Sequence, residues 1–336
     1  MHADQFPKII FGTSALGNLY RDPGFETKKQ VVSEIVKHSP GVPVFDSAGK
    51  YGAGLALESL AAALKSLNVA PSEVQISNKL GWLRTELLSD EPTFEPGAWV
   101  NLENDAKQDI SYSGILRCFE QGNELLGDYP SRIVSIHDPD EYLAAATDAQ
   151  DKAKRQNDIL EAYRALAELK QKGEVDSIGV GAKNTEVINF ISAHIQLDWA
   201  MFACSVTPYS HKPEVLALLK RLGSSGVKVI NSAVFNGGFL MGGDYFDYTK
   251  VDRESAPELF HWRDQFFAIC QKYDVDPAAA CVQFSYLFPE IVSVALSTSS
   301  PSRVEGNMAL ANAAIPGAFW RELQDANLIS GDLATV

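Results

Sequence analysis

The sequence predicts an α/β fold in the form of one (β/α)8 barrel that spans all 336 residues. Eight short, almost continuously apolar runs alternate along the chain with longer stretches of helical periodicity. Continuous apolar runs of this length are typical of parallel strands that are covered on both faces. No linker or low-complexity segment divides the chain, and barrels of this length commonly form one domain. We therefore expect a single domain over residues 1–336.

Helical stretches such as 56–67 and 159–173 separate the strand candidates. Asp276 and Pro277 predict a further helix start, because aspartate is a favoured N-cap and proline is favoured at the first helical position. A doubly wound open sheet is the rival arrangement, but the first strand runs into GTSALG rather than the GxGxxG of a dinucleotide-binding turn. The predicted strands occupy residues 8–14, 42–48, 74–81, 132–138, 175–182, 197–205, 227–234 and 291–298.

Two connections are much longer than ordinary turns. Residues 82–112 follow the third predicted strand, and residues 236–257 follow the seventh. Long connections in a compact domain are commonly lids or binding loops. Both connections leave the carboxyl ends of strands, where barrel enzymes build their active sites. We therefore expect the functional site at this end of the barrel.

Composition narrows the range of partners. The chain carries 29 basic and 43 acidic residues, a net charge of −14, which argues against nucleic acid or an anionic membrane as a partner. The four cysteines show no metal-binding or disulfide spacing, as expected of reduced thiols. No stretch has the pattern of a signal peptide or membrane span. We expect a cytoplasmic protein, a monomer or small homo-oligomer, that binds a small molecule.

Ionisable side chains end three consecutive predicted strands. Asp46 ends the second strand, with Tyr51 just beyond it. Lys79 ends the third strand and His137 the fourth, and we expect the four to meet because a buried lysine or histidine is costly unless it is paired. A neighbouring ammonium lowers the pKa of a phenol, and an aspartate holds that ammonium in place. With a histidine to orient the substrate oxygen, this set suits proton transfer that accompanies hydride transfer.

The order of several motifs resembles that in the aldo-keto reductases. FDSAGKYG, ISNKLGW and SIHD are similar to catalytic segments of that family, and STSSPSRVEGNMALA is similar to its C-terminal cofactor segment. The resemblance covers essentially the whole chain. FGTSALGNL and NSAVFNGGFL are most similar to the branch that contains the L-fucose, L-galactose and D-threo-aldose dehydrogenases. The resemblance implies a (β/α)8 barrel that uses a nicotinamide cofactor.

Four catalytic roles follow from this resemblance. Tyr51 is expected to be the proton donor or base, and Lys79 to modulate its pKa. Asp46 would anchor Lys79, and His137 would steer the substrate oxygen. The implied reaction oxidises the anomeric carbon of a free aldose to a lactone, and the alternative is NADPH-dependent reduction of an aldehyde or ketone. The expected substrate walls are Trp82, Trp99, Tyr112 and residues 244–250.

The resemblance also implies cofactor contacts. Ser232 occupies the position at which many members place an aromatic residue against the nicotinamide, which makes Phe235 the next candidate for stacking. Ser297 occupies the position of a lysine in NADP-specific members, while Arg303 could still pair with the 2′-phosphate of NADP or stack on adenine. This pattern favours NAD, with NADP possible. The full expected set is Gly12, Thr13, Ser14, Ser232, Phe235, Asn236, Gly238, Ser297, Thr298, Ser299, Arg303 and Asn307.

Two other classes of function remain as alternatives. A metal-dependent barrel hydrolase would draw its ligands from Asp46, His137, Asp138 and Asp140, but no HxH pair lies on an early strand, and we expect no metal. A barrel that binds the cofactor and turns over slowly, as a regulatory subunit, is the second alternative. The complete set of four catalytic candidates argues against it.

Overall fold

A computed structural model of the chain describes residues 6–331 and 333. Eight parallel strands close into a barrel in which each strand pairs with its neighbour in sequence and the last pairs with the first. This confirms the predicted (β/α)8 barrel, and the doubly wound open sheet is wrong. The barrel strands are β1 (Ile9–Gly12), β2 (Val44–Ala48), β3 (Gln75–Leu80), β4 (Ile133–His137), β5 (Ser177–Ala182), β6 (Trp199–Ala203), β7 (Lys228–Ser232) and β8 (Ile291–Ser297).

Helices surround the barrel, and several of them start at a residue whose side chain caps the first turn. Asp276 caps its helix as predicted, since its carboxylate accepts the Ala278 N–H at 2.9 Å. The helix predicted from residue 159 begins earlier, where Asp148 accepts the Asp151 N–H at 2.8 Å. The α-helices are α1 (Phe25–His38), α2 (Leu55–Ser66), α3 (Tyr112–Leu126), α4 (Pro139–Ala144), α5 (Ala149–Gln171), α6 (Thr185–His194), α7 (Pro213–Ser224), α8 (Pro257–Lys272), α9 (Pro277–Ser285), α10 (Val304–Ala309) and α11 (Gly317–Asp325).

The base of the barrel, where the strands begin, is filled by apolar side chains. Trp199 is fully buried there and Phe6 packs edge-on against it, with ring centroids 6.3 Å apart. Side chains on a strand alternate between its two faces, so the members of this cluster define which residues of each strand point inward. The buried cluster consists of Ile10, Val44, Ile133, Trp199, Met201 and Ile230.

The same alternation places polar side chains inside the other end of the barrel, which we call the mouth. Asp46 lies two residues beyond Val44, and His137 lies four residues beyond Ile133. Even spacings keep a side chain on the same face of a strand, so both residues point into the barrel where the strands end. The base is therefore apolar, and the mouth is where the predicted catalytic residues lie.

The two long connections are not plain loops. The first forms an antiparallel ribbon of Trp82–Glu86 with Asn104–Gln108, and the segment 87–103 extends from it. The second contains a 3₁₀ helix, Asn236–Met241, and a two-residue hairpin of Tyr245–Phe246 with Thr249–Lys250. The polar composition of these segments hid their strands, since neither shows a run of apolar residues.

Two predictions about the chain as a whole can be compared with the structure. All four cysteines are buried free thiols, as expected. Within residues 6–331 and 333, no helix is both long enough and apolar enough to cross a membrane.

The close approach of β5 to Trp199 requires a glycine. A Cβ added to Gly179 would lie 2.1 Å from Trp199 Cδ2, whereas one added to Gly181 would come no closer than 3.7 Å, to Met201 Cβ. We predict that Gly179→Ala lowers the free energy of unfolding by about 3 kcal/mol, as overpacking of a core does. Gly181→Ala, the matched control, should change it by less than about 1 kcal/mol. Urea unfolding of both variants checks this, and equal stabilities would contradict it.

Candidate active site

A buried ion pair lies at the centre of the mouth. Lys79 Nζ is 2.5 Å from Asp46 Oδ2, and both side chains are almost completely buried. The same ammonium donates to the Tyr51 hydroxyl at 3.2 Å. The three residues come from β2, from the turn that follows it and from β3, the adjacent strand. The structure therefore brings together three of the four predicted catalytic residues in one hydrogen-bonded chain.

The electrostatics of this chain differ in one respect from the expectation. Burial disfavours the charge on Lys79 and is the largest single influence on it, but the interactions with Asp46 and Tyr51 together outweigh burial and raise the pKa of Lys79. Burial also raises the pKa of the Tyr51 phenol, and the ammonium of Lys79 lowers that pKa by less. The expectation of a tyrosine pKa shifted toward neutrality is therefore wrong in its net direction, although the contribution of Lys79 has the expected sign. The tyrosine is a protonated phenol at neutral pH.

His137 completes the predicted set from the end of β4. Its ring lies edge-on to that of Tyr51, with centroids 5.3 Å apart. Burial lowers the pKa of His137 well below its usual range, and the charges of Lys50 and Lys79 lower it further. Its Nδ1 atom is buried and has no hydrogen-bond partner within the described part of the chain. The imidazole is therefore neutral at physiological pH and has hydrogen-bonding capacity to spare.

Glycines set the position of Tyr51. Gly52 has φ = 61°, and a Cβ added to it would lie 2.2 Å from the carbonyl oxygen of Gly17. A Cβ added to Gly17 would in turn lie 2.8 Å from the backbone carbonyl of Tyr51. Only glycines permit two backbones to approach this closely. The turn that carries Tyr51 is thus packed directly on the segment that follows β1.

Of the three single residues predicted as substrate walls, Trp99 contacts Tyr51 and Trp82 packs on the same cluster. Trp99 packs on the Tyr51 ring with centroids 5.9 Å apart, and Trp82 reaches the same cluster through Phe94, at 5.8 Å. Tyr112 does not lie with them. Its hydroxyl donates to Glu168 of α5, and Arg164 of the same helix lies over its ring. The position of Tyr112 between α3 and α5 gives no support to a role in substrate binding.

The predicted segment 244–250 forms the hairpin of the second connection. Its Tyr245 and Tyr248 side chains are exposed. The hairpin is tied to the preceding 3₁₀ helix, because Asn236 Nδ2 donates to Asp247 Oδ1 at 2.8 Å. Two exposed aromatic rings on a tethered hairpin suit contact with a small molecule.

An open cleft of about 580 Å³ lies between the ends of β1 and β8. Hydroxyl groups dominate its lining, and two arginines add positive charge; Arg21 donates to the Ser299 hydroxyl. Five of the lining residues belong to the predicted cofactor set, and Ala15 and Ser300 are immediate neighbours of that set. The cleft is lined by Ser14, Ala15, Leu19, Tyr20, Arg21, Ser297, Thr298, Ser299, Ser300 and Arg303.

The remaining predicted cofactor residues differ in burial and in whether their polar groups already have hydrogen-bond partners. Thr13 is buried and its hydroxyl donates to Ser47 at 2.8 Å, which ties the end of β1 to β2. Gly12 pairs with both Asp46 and Ser297 in the barrel register. Ser232 donates to the Phe202 carbonyl at 3.1 Å. The half-buried members that follow β7 and β8 are Phe235, Gly238 and Asn307.

The carboxylates of the hydrolase alternative are engaged elsewhere. Asp140 accepts the backbone N–H groups of Lys183 and Asn184 at 3.1 and 2.9 Å. Asp138 lies 2.8 Å from Lys50. Among residues 6–331 and 333, no group of three or more His, Cys, Asp and Glu side chains is arranged to hold a metal ion. The geometry of these residues therefore does not favour metal chemistry.

Comparison with protein-family models decides the family. A model of the aldo/keto reductase family matches residues 8–328. The chain belongs to this family. Members of the aldo/keto reductase family are oxidoreductases that use nicotinamide cofactors, so this chain is an oxidoreductase that acts on a small molecule. The β1–β8 cleft fits such a cofactor, because its two guanidinium groups and its hydroxyls are suitable donors for phosphate and ribose.

Two curated relatives extend over most of the chain. A pyridoxal 4-dehydrogenase from Microbacterium luteolum is 28% identical over 335 residues, which cover 95% of this chain and 93% of the relative. An L-galactose dehydrogenase from Arabidopsis thaliana is 23% identical over 302 residues, which cover 90% of this chain and 83% of the relative.

Solved structures share the fold at low identity. An aldo-keto reductase from Bacillus halodurans superposes with a TM-score of 0.68 at 16% identity, covering 97% of this chain and 93% of that one. An aldo-keto reductase from Klebsiella pneumoniae, solved in complex with NADPH, superposes with a TM-score of 0.61 at 13% identity, covering 98% and 94%. Both likenesses support the barrel architecture.

Sequence reasoning missed two charged residues at the mouth. Lys50 precedes Tyr51 and is buried among carboxylates, and Arg21 lines the β1–β8 cleft. Both stand beside segments that the sequence singled out, and for Lys50 the available signal was its place in a glycine-rich turn. Their partners come from distant parts of the chain, which the sequence alone does not reveal.

The packing of Gly52 on Gly17 leads to a test of how the site is held. Gly52→Ala introduces both a left-handed alanine and a clash with the Gly17 carbonyl. Gly173→Ala, at φ = 73° with open space around it, introduces only the first. We predict that Gly52→Ala lowers the free energy of unfolding by about 2 kcal/mol more than the control does. Chemical denaturation measures both, and equal losses would show that the close contact does not constrain the turn.

Proposed function

We propose that this aldo/keto reductase oxidises the ring carbon of a cyclic hemiacetal, in the first instance the anomeric carbon of a free aldose, to a lactone. The observation that supports this proposal is the hydrogen-bonded chain Asp46–Lys79–Tyr51 at the mouth, with neutral His137 beside it. A nicotinamide cofactor, when bound, supplies the hydride acceptor.

Tyr51 is the proposed base. Its hydroxyl accepts the Lys79 N–H at 3.2 Å, so the phenolate that takes the proton from the substrate hydroxyl is stabilised, before that transfer, by a fixed positive charge. Asp46 keeps that charge in position, since it holds Lys79 at 2.5 Å. The neutral imidazole of His137 is free to hydrogen-bond the substrate oxygen and so orient it toward the phenol.

The surroundings of Tyr51 suit a compact, ring-shaped substrate. Trp99 and Trp82 form apolar walls, and the exposed rings of Tyr245 and Tyr248 lie on the hairpin beyond. Aromatic faces pack well against the C–H surfaces of a sugar ring. The names of the two curated relatives agree with this substrate class: L-galactose closes to a cyclic hemiacetal, and pyridoxal carries an aldehyde beside a hydroxymethyl group that can close on it.

For the cofactor we propose NAD. Ser297 offers no positive charge to a 2′-phosphate, and its hydroxyl already donates to the Gly12 carbonyl at 3.2 Å. Arg21 and Arg303 would contact the phosphates that NAD and NADP share. Binding of NADP with the higher affinity would show that these two arginines replace the lysine seen in NADP-specific members.

Reduction of an aldehyde or ketone is the second candidate, and one observation favours it. Burial raises the pKa of Tyr51, so the phenol is protonated at neutral pH and ready to donate. The same four residues serve that direction, with Tyr51 as the acid.

The decisive experiment is a spectrophotometric screen. NAD and NADP are each tested with aldoses and pyridoxal, NADH and NADPH are each tested with simple aldehydes, and the formation or consumption of the reduced cofactor is followed. Tyr51→Phe should lower kcat by roughly 10³-fold or more for any active pair, because it removes the base. Tyr112→Phe, whose hydroxyl lies between α3 and α5, is the matched control and should stay active. Near-normal turnover by Tyr51→Phe would exclude the mechanism, and cofactor binding without turnover would favour the regulatory alternative.

A pH profile tests the role of Lys79. Its ammonium lowers the pKa of Tyr51, so its removal leaves burial unopposed and raises that pKa further. In the direction of dehydrogenation the ionised tyrosine is the active form, so the rate profile of Lys79→Met should shift to higher pH. The double variant Asp46→Asn/Lys79→Met avoids an isolated buried carboxylate and serves if the single variant does not fold. An unchanged profile in both would remove Lys79 from the mechanism.

A further inference from the structure

Lys50 is an unusual lysine for its place in the chain. It directly precedes Tyr51 at the mouth, yet only 3% of its side chain is exposed. Its Nζ atom lies 2.7 Å from Glu95 Oε1, 2.8 Å from Asp138 Oδ2 and 3.3 Å from Glu141 Oε2. It also stands 5.1 Å from the centre of the Trp82 ring. An ammonium is rarely buried so completely without a specific reason.

The first two of these carboxylates each have a second partner in the site. The other oxygen of Glu95 accepts the indole N–H of Trp99 at 2.6 Å, and the Trp99 ring packs on Tyr51. On the opposite side, Asp138 Oδ2 lies 3.4 Å from His137 Nε2. Lys50 thus joins two short chains of contacts. One runs through Glu95 and Trp99 to Tyr51, and the other runs through Asp138 to His137.

Both anchoring residues have a costly backbone conformation. Glu95 has φ = 44° and Asp138 has φ = 49°, in the left-handed region that side chains other than glycine seldom occupy. Such conformations persist where the surrounding contacts over-determine them, and they cluster at functional sites. Glu141, the third carboxylate, lies in the regular helix α4 and contacts neither Trp99 nor His137. The strain is thus found at the two carboxylates that reach the catalytic candidates.

We propose that Lys50 is a positioning residue that holds the Trp99 wall on Tyr51 through Glu95 and neutralises Asp138 beside His137. The proposal rests on the proposed function only in taking Tyr51 and His137 as the reacting groups. The segment 87–103 and the end of β4 are otherwise parts of separate connections, and the ammonium fixes the distance between them.

The charges around His137 give this role a second consequence. The imidazole is faced by Asp138 from its own segment, by Lys79 of β3 with its partner Asp46, by Lys50, and by the ring of Tyr51. Removal of Lys50 deletes a nearby positive charge and leaves the Asp138 carboxylate without its counter-ion. Both changes favour the imidazolium, so the pKa of His137 should rise.

The test uses the free protein and needs neither substrate nor cofactor, so its outcome is independent of the proposed reaction. Heteronuclear NMR follows hydrogen exchange of the Trp99 indole N–H, assigned with Trp99→Phe, and titration of the His137 ring, assigned with His137→Asn. In Lys50→Met we expect the indole to exchange roughly tenfold faster, as after loss of one charge-assisted hydrogen bond, and His137 to titrate at higher pH.

Matched variants separate this role from a general loss of stability. Glu141→Gln alters the same cluster without touching either chain, and should leave both signals unchanged. Glu95→Ala removes the acceptor of Trp99 directly, so Lys50→Met added to it should give no further gain in indole exchange. If Lys50→Met does not fold, Lys50→Gln, which keeps a donor but no charge, should show both shifts in smaller degree. Unchanged signals in the folded Lys50 variant, or equal shifts in Glu141→Gln, would overturn the proposal.

Discussion

The ion pair between Lys79 and Asp46 is the constraint on which the mouth depends. Each charge lies inside the barrel, where a lone ammonium or carboxylate would be strongly destabilising, so neither residue can be changed alone without cost. Loss of one member of such a pair typically costs about 3–5 kcal/mol. The carboxylate also limits where the ammonium can lie, and the ammonium in turn limits where the Tyr51 hydroxyl can be stabilised as a phenolate. The ion pair therefore sets both the position of the Lys79 ammonium and the charge that the Tyr51 hydroxyl faces.

The position of this pair follows from the periodicity of the strands. Inward-facing residues at the base are apolar, as at Val44 and Ile133, and those at the mouth on the same strands are ionisable, as at Asp46 and His137. A barrel can hold charges at one end because the apolar layer at the other end supplies the stability. The proposed chemistry thus needs only a few residues near the ends of strands.

The sequence predicted this part of the molecule well because its signals are local. Apolar runs marked the strands, and polar residues at their ends marked Asp46, Lys79 and His137. Contacts between distant segments were out of reach: nothing local reveals that Glu95 and Asp138 both bind Lys50, or that Tyr112 points to α5. The net direction of the Tyr51 pKa was also missed, because it depends on how deeply the ring is buried.

Trp199 and Phe6 close the base of the barrel with two packed aromatic rings. The open route from solvent to the ion pair therefore passes the mouth, where Trp99 packs on Tyr51. A ligand bound over the mouth would therefore cover that route. When solvent is excluded from the mouth, the local dielectric constant falls. The attraction between the Lys79 ammonium and a Tyr51 phenolate then becomes stronger. An apolar layer far from the reacting atoms thus allows ligand binding at the mouth to change the dielectric environment in which the proton moves.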